Sequence, residues 1–112
     1  MEIQGLTPVF PVDNLESAVK SWSALLGVTP TFVDGDRWAQ FDVAGKRVAL
    51  AGTDRVADVP GLMVKVADVA AARDQAVRLG LEVTDLQEGG HETRCTVTAA
   101  GGWPVVLYSP RK

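Results

Sequence analysis

A few side chains in this sequence have the chemistry to hold a small molecule. In Arg37–Val43, RWAQFDV, Trp38 and Gln40 alternate with apolar neighbours, and alternating residues of a strand share one face. An indole there can stack on a planar ligand, and Gln40 can orient that ligand by hydrogen bonding. The competing reading makes Trp38 a packing aromatic. Arg94, in ETRCTVT, can hold an anionic or carbonyl group and stack on a ring; otherwise it is a solvated strand arginine. Tyr108 offers a second hydrogen-bonding ring. Lys65 places a charge in the apolar run LMVKV, beside Met63. It either lines a binding face or guards a strand edge against mispairing.

Acid–base work would need a positioned titrating group, and the candidates are His91, Asp42, Lys65 and Tyr108. His91 follows Gly89-Gly90 and reads as an exposed hairpin residue. Cys95 reads as a small buried apolar residue, because nothing near it in sequence lowers its pKa. With one histidine in the chain, an imidazole-rich metal site cannot be assembled. Gly101-Gly102 is no phosphate loop, since no helix N-terminus follows it. Trp22 falls on a helix stripe and belongs to the core, whereas Trp103 reads as a packing residue at a lip or a subunit contact.

The elements that position these residues follow from periodicity. Asp13 and Glu16 form a capping box, with Asp13 as the N-cap. Leu15, Ala18, Val19, Trp22, Leu25 and Leu26 then recur at helical spacing, and Gly27 ends the helix. In residues 62–83 the pattern returns. Asp68 caps, Val69, Ala72, Ala76 and Leu79 form the stripe, and Gly80 closes it. Pairs such as Asn14 and Asp68, Ala18 and Ala72, or Leu25 and Leu79 stand 54 positions apart. After the first helix, strands are expected at 31–33, 37–43 and 46–51, with turns at Asp34-Gly35 and Ala44-Gly45. After the second they are expected at 82–87, 92–98 and 103–109. Each half therefore reads β-α-β-β-β: module one over 6–52, a linker over 53–60, and module two over 61–109.

The chain has 112 residues, 46% of them hydrophobic, enough for one compact domain with a real core. Its net charge of −3, with scattered basic residues, argues against nucleic-acid and anionic-membrane partners. No apolar run approaches a membrane span and no secretory leader pattern is present. A lone cysteine fits a reducing compartment, so a cytoplasmic protein is expected.

Paired β-α-β-β-β modules, carrying PVDNLESAV in the first and VKVADVAAA in the second, resemble the vicinal oxygen chelate superfamily. That group holds glyoxalases, extradiol dioxygenases and bleomycin-resistance-type drug-binding proteins. The resemblance spans essentially the whole chain. It implies an α+β fold with curled mixed sheets around a central cavity, helices outside, and often a homodimer that completes each pocket. Strand parity then puts Phe10 and Val12 under the first helix and Thr7, Val9 and Pro11 toward the cavity. By the same rule Trp38, Gln40 and Asp42 point inward. So do Gly61, Met63 and Lys65, Arg94 and Thr96, and Pro104, Val106 and Tyr108.

Metal-dependent members hold a divalent ion with His, Glu or Gln from four strands. Carried over residue by residue, those positions fall on Thr7, on Ala49 or Ala51, on Gly61 and on Val106. Only Thr7 has a side-chain oxygen, so no metal and no other cofactor is expected. The resemblance then implies metal-free binding of a small, largely apolar aromatic ligand, as in natural-product or drug sequestration. Thr7, Trp38, Gln40, Met63, Lys65, Arg94 and Tyr108 would be the contacts, in a homodimer. Two alternatives stand beside it. One is a metal-free isomerase, cyclase or lyase using acid–base side chains; the other is a structural or partner-binding module whose cavity is filled by its own side chains.

Overall fold

The computed structural model describes residues 1–111. In chain order they form β1 (Ile3–Pro11), α1 (Leu15–Leu26), β2 (Phe32–Asp34), β3 (Trp38–Val43) and β4 (Lys46–Ala51). There follow β5 (Gly61–Val66), α2 (Val69–Arg78), β6 (Glu82–Val83), β7 (Gln87–Glu88), β8 (Glu92–Thr98) and β9 (Pro104–Pro110). The fold class is α+β, and strand, helix and a run of strands occur twice. No helix among the described residues is long and apolar enough to cross a membrane.

Two compact units result, and they do not divide at a single point in the chain. The first is Thr7–Pro60. Its strands lie in the order β2-β3-β4-β1, with β3 antiparallel to both neighbours and β4 parallel to β1. The second unit joins Met1–Leu6 to the chain from Gly61 onward. There the opening residues of β1 lie beside β5, followed by β9, β8 and β6, with β7 also on β8. So β1 serves both units. The Ala67 N–H donates to the Glu2 carbonyl at 3.1 Å, and the terminal amino group of Met1 donates to Gln75 Oε1 at 2.7 Å.

Each helix covers one face of its own unit's sheet. In the first unit Leu15, Ala39, Phe41 and Leu50 are buried together, with Phe10, Val12, Ala18, Val19, Trp22 and Leu26 against them. Trp22 meets the Phe10 ring at 5.2 Å between centroids, tilted by 42°, which is a core role. In the second unit Val64, Val66, Val69, Ala72, Ala76, Cys95, Val97 and Leu107 form the core. Leu25 departs from the expected stripe and is 81% exposed. Ten residues beyond Leu15, it lies about 80° round the helix axis, past the edge of the buried face. Leu79, at the C-cap of α2 and ten residues beyond buried Val69, is exposed for the same reason.

The cap of α1 lies one residue later than expected. Asn14, extended at φ −123° and ψ 99°, accepts from the Ser17 N–H at 3.0 Å, while Asp13 pairs with Arg55 at 3.2 Å. This aligns Asn14 with Asp68, which caps α2 by accepting from Ala71 N–H at 3.1 Å. The single strand expected over 82–87 is broken into β6 and β7. Between them the Thr84 hydroxyl accepts from the Thr96 N–H, and Arg73 binds the Thr84 carbonyl and the Asp85 carboxylate. The Thr84 N–H still donates to the Thr96 carbonyl at 3.0 Å, and the Thr84 hydroxyl takes over the return bond that its carbonyl would have accepted. β9 begins at Pro104, and Trp103 stands outside it, 53% exposed beside Gly101 in the preceding turn.

Candidate functional site

Directly paired residues of neighbouring strands share a face, so the register shows what lies opposite each helix. In the first unit one row of the helix-free face runs Trp38, Ala51, Pro11. The next runs Phe32, Gln40, Ala49, Val9. Asp42 pairs with Arg47 beyond it. Thr7 precedes Val9 by two residues and so shares the face; its side chain is buried. Every residue that parity assigned to this face is found on it, because Phe10, Ala39, Phe41 and Leu50 all go to the helix.

The chemistry of that face is stacking and hydrogen bonding. The Trp38 indole N–H donates to Gln40 Oε1 at 3.2 Å, which fixes both side chains on one surface. This contact uses the Gln40 carbonyl and leaves its NH2 group as donor. Small or flat neighbours, Ala51 and Pro11, stand beside Trp38 in the row, and the indole is partly exposed. Asp42 accepts from Arg47 Nε at 2.9 Å and from the Thr31 hydroxyl at 2.8 Å. Arg47 above all, and then Thr31, hold its carboxyl below the ordinary range, which makes it a poor proton acceptor.

In the second unit the helix-free face carries two informative rows. One is Met63, Val106, Thr96; the next is Lys65, Tyr108, Arg94, Gln87. Arg94 Nη1 lies 3.5 Å from Glu92 Oε1, and both side chains are about one-fifth exposed. Glu92 is a neighbour of Arg94 that the sequence reading does not single out. The signal was present in the E-T-R spacing, since residues two apart in a strand share a face. Lys65 is half-buried, and it cannot be guarding an edge, because β5 lies between β9 and the start of β1. His91 is exposed, and Cys95 is fully buried among core residues. Burial pushes the Cys95 thiol up, with nearby Arg73 opposing, so it is not poised for nucleophilic chemistry.

The positions at which a superfamily metal would be held do not fit one. Ala49, Ala51 and Val106 present only hydrocarbon. At Gly61 a Cβ would stand 2.8 Å from the Pro104 carbonyl oxygen and 3.0 Å from the proline ring, so no ligating side chain fits there on this backbone. Among the described residues no cluster of three His, Cys, Asp or Glu side chains forms a metal-binding group. A shallow pocket of about 300 Å³ does exist in the first unit, but on the helix side, between α1 and the β2–β3 hairpin. Leu15, Val19 and Val33 line it, with Glu16 and Lys20 at its rim, and it contains none of the candidate residues.

No protein-family model and no curated protein matches the sequence. Solved structures do match its fold. A Legionella pneumophila chain described as an NAD-dependent benzaldehyde dehydrogenase superposes with a TM-score of 0.86 at 14% identity, covering 95% of this chain and 99% of that one. A glyoxalase/bleomycin resistance protein/dioxygenase superfamily member from Vibrio splendidus gives 0.72 at 11% identity, covering 96% and 98%. Methylmalonyl-CoA epimerase from Mycobacterium tuberculosis gives 0.67 at 17% identity, covering 99% and 89%. At these identities the likeness is one of fold, and the fold is that of the vicinal oxygen chelate superfamily.

Proposed function

We propose that this protein binds a small, largely apolar aromatic compound on its helix-free sheet faces, without a metal ion, and works as a homodimer. Sequestration of a toxic natural product or drug is the role that suits such binding. The observation that carries the reading is Trp38, tied to Gln40 and set beside Ala51 and Pro11, where a planar ring can lie against the indole. The donor-poor set Thr7, Ala49, Ala51, Gly61 and Val106 supports recognition by stacking, hydrogen bonding and desolvation rather than by coordination.

A metal-free enzyme would need a base of suitable strength, and the state of Asp42 gives that reading less support. The test is a thermal-shift and fluorescence screen with aromatic compounds, beginning with neutral 2-naphthamide, run with and without chelator. Binding should quench indole emission and survive the chelator. Trp38→Ala should weaken it about tenfold, the worth of one good aromatic contact, while the variant keeps its circular dichroism. Undiminished affinity in the folded variant would remove Trp38 from the site.

A further inference from the structure

We infer that the second unit's helix-free face selects aromatic monocarboxylates, with Lys65 as the residue that holds the carboxylate. This rests on the aromatic-binding reading and adds to it a charge requirement.

The argument starts from where Lys65 stands. An interior strand needs no charge to prevent mispairing, because both of its edges are already paired. Lys65 is half-buried and makes no ion pair with any described residue. A half-buried lysine packs its stem along the sheet and presents its ammonium at the surface of the face, where a Met or Leu would simply continue the apolar pattern of β5. Beside it on β1 is Gly5, where even a Cβ would reach only to 3.8 Å from the Lys65 Cβ. No side chain there fills the space next to the lysine stem. On the other side, in register, is the Tyr108 ring.

Charge and spacing narrow the ligand. Arg94 continues the row, but Glu92 stands against it at 3.5 Å, which leaves Lys65 as the cation of the row that makes no ion pair with a described residue. That matches a monoanion better than a phosphate dianion. The neighbouring row, two residues along the strands, is apolar at Met63 and Val106. The step between rows is about 6.7 Å, close to the distance from a carboxylate to the far side of the ring that bears it. A carboxylate at Lys65 therefore brings its ring to half-buried Met63, with Tyr108 alongside.

The experiment compares 2-naphthoate with its neutral analogue 2-naphthamide by calorimetry on the full chain. The carboxylate should bind about tenfold more tightly, as expected of one partly desolvated charge-assisted contact. Raising the salt concentration should weaken naphthoate and leave naphthamide unchanged. Lys65→Met keeps the stem and drops the charge, so it should abolish the preference, bringing the two probes to equal affinity in the variant. Lys65→Gln serves as a second variant, and the salt comparison needs no variant at all. Equal binding of the two probes by the wild-type chain overturns this inference and leaves aromatic binding standing. A preference that survives in folded Lys65→Met overturns the role of Lys65. Binding of neither probe sinks both readings.

Discussion

Asp42 illustrates how a polar residue on the binding side can be occupied rather than reactive. Its carboxylate is held by Arg47 and Thr31, and its pKa lies below the ordinary 3.8. A carboxylate with a lowered folded-state pKa stabilises the fold above its unfolded pKa, and that contribution is lost as pH falls through the folded value. Asp42→Asn should therefore be less stable than the wild type near neutrality. The gap should be narrower in acid than near neutrality, because protonation of Asp42 makes the two side chains alike. Urea unfolding near neutrality and in acid measures this, and a gap that stays as wide in acid would show that the ion pair is not its source. Lys65 was legible in the sequence as a charge out of pattern, but its two explanations could not be separated there. Only the pairing of β5 on both sides removed edge protection.

At the level of elements, the first turn of α1 had two competent caps in Asp13-Asn14. Either residue type can accept from an N-terminal backbone N–H, so local sequence does not choose between them. The structure uses Asn14, while Asp13 reaches Arg55 from a position 98% exposed. Asn14→Ala should then cost about 1 kcal/mol in urea unfolding. Asp13→Ala should cost less, since exposed ion pairs contribute little. The reverse order would restore Asp13 as the cap. The sheet faces were read more reliably than the strand ends. Parity placed Trp38, Gln40, Lys65, Arg94 and Tyr108 on the helix-free faces, whereas the break between β6 and β7 went unforeseen. That break depends on Arg73 and Thr96, which lie 11 and 12 residues from Thr84.

At the scale of the whole molecule, the proposed dimer has a candidate contact in the first unit. β2 is the outer strand of its sheet, and Phe32, Val33 and the α1 residue Leu25 are 49, 47 and 81% exposed. An outer strand with apolar side chains invites a second copy. Sedimentation at micromolar concentration should show a dimer, and Phe32→Asp should shift it toward monomer; a wild-type chain that sediments as a monomer would remove the dimer from the proposal. What the sequence determined by itself was local. The capped helices and the two-residue alternation that sorts each strand into a helix side and an open side both follow from neighbouring residues. What only tertiary structure decided was non-local: that β1 gives its first residues to one unit and its remainder to the other, and that β5 is paired on both edges. A strand's facing pattern is written in its own side chains, but its neighbours are chosen by backbone hydrogen bonds that every sequence offers alike.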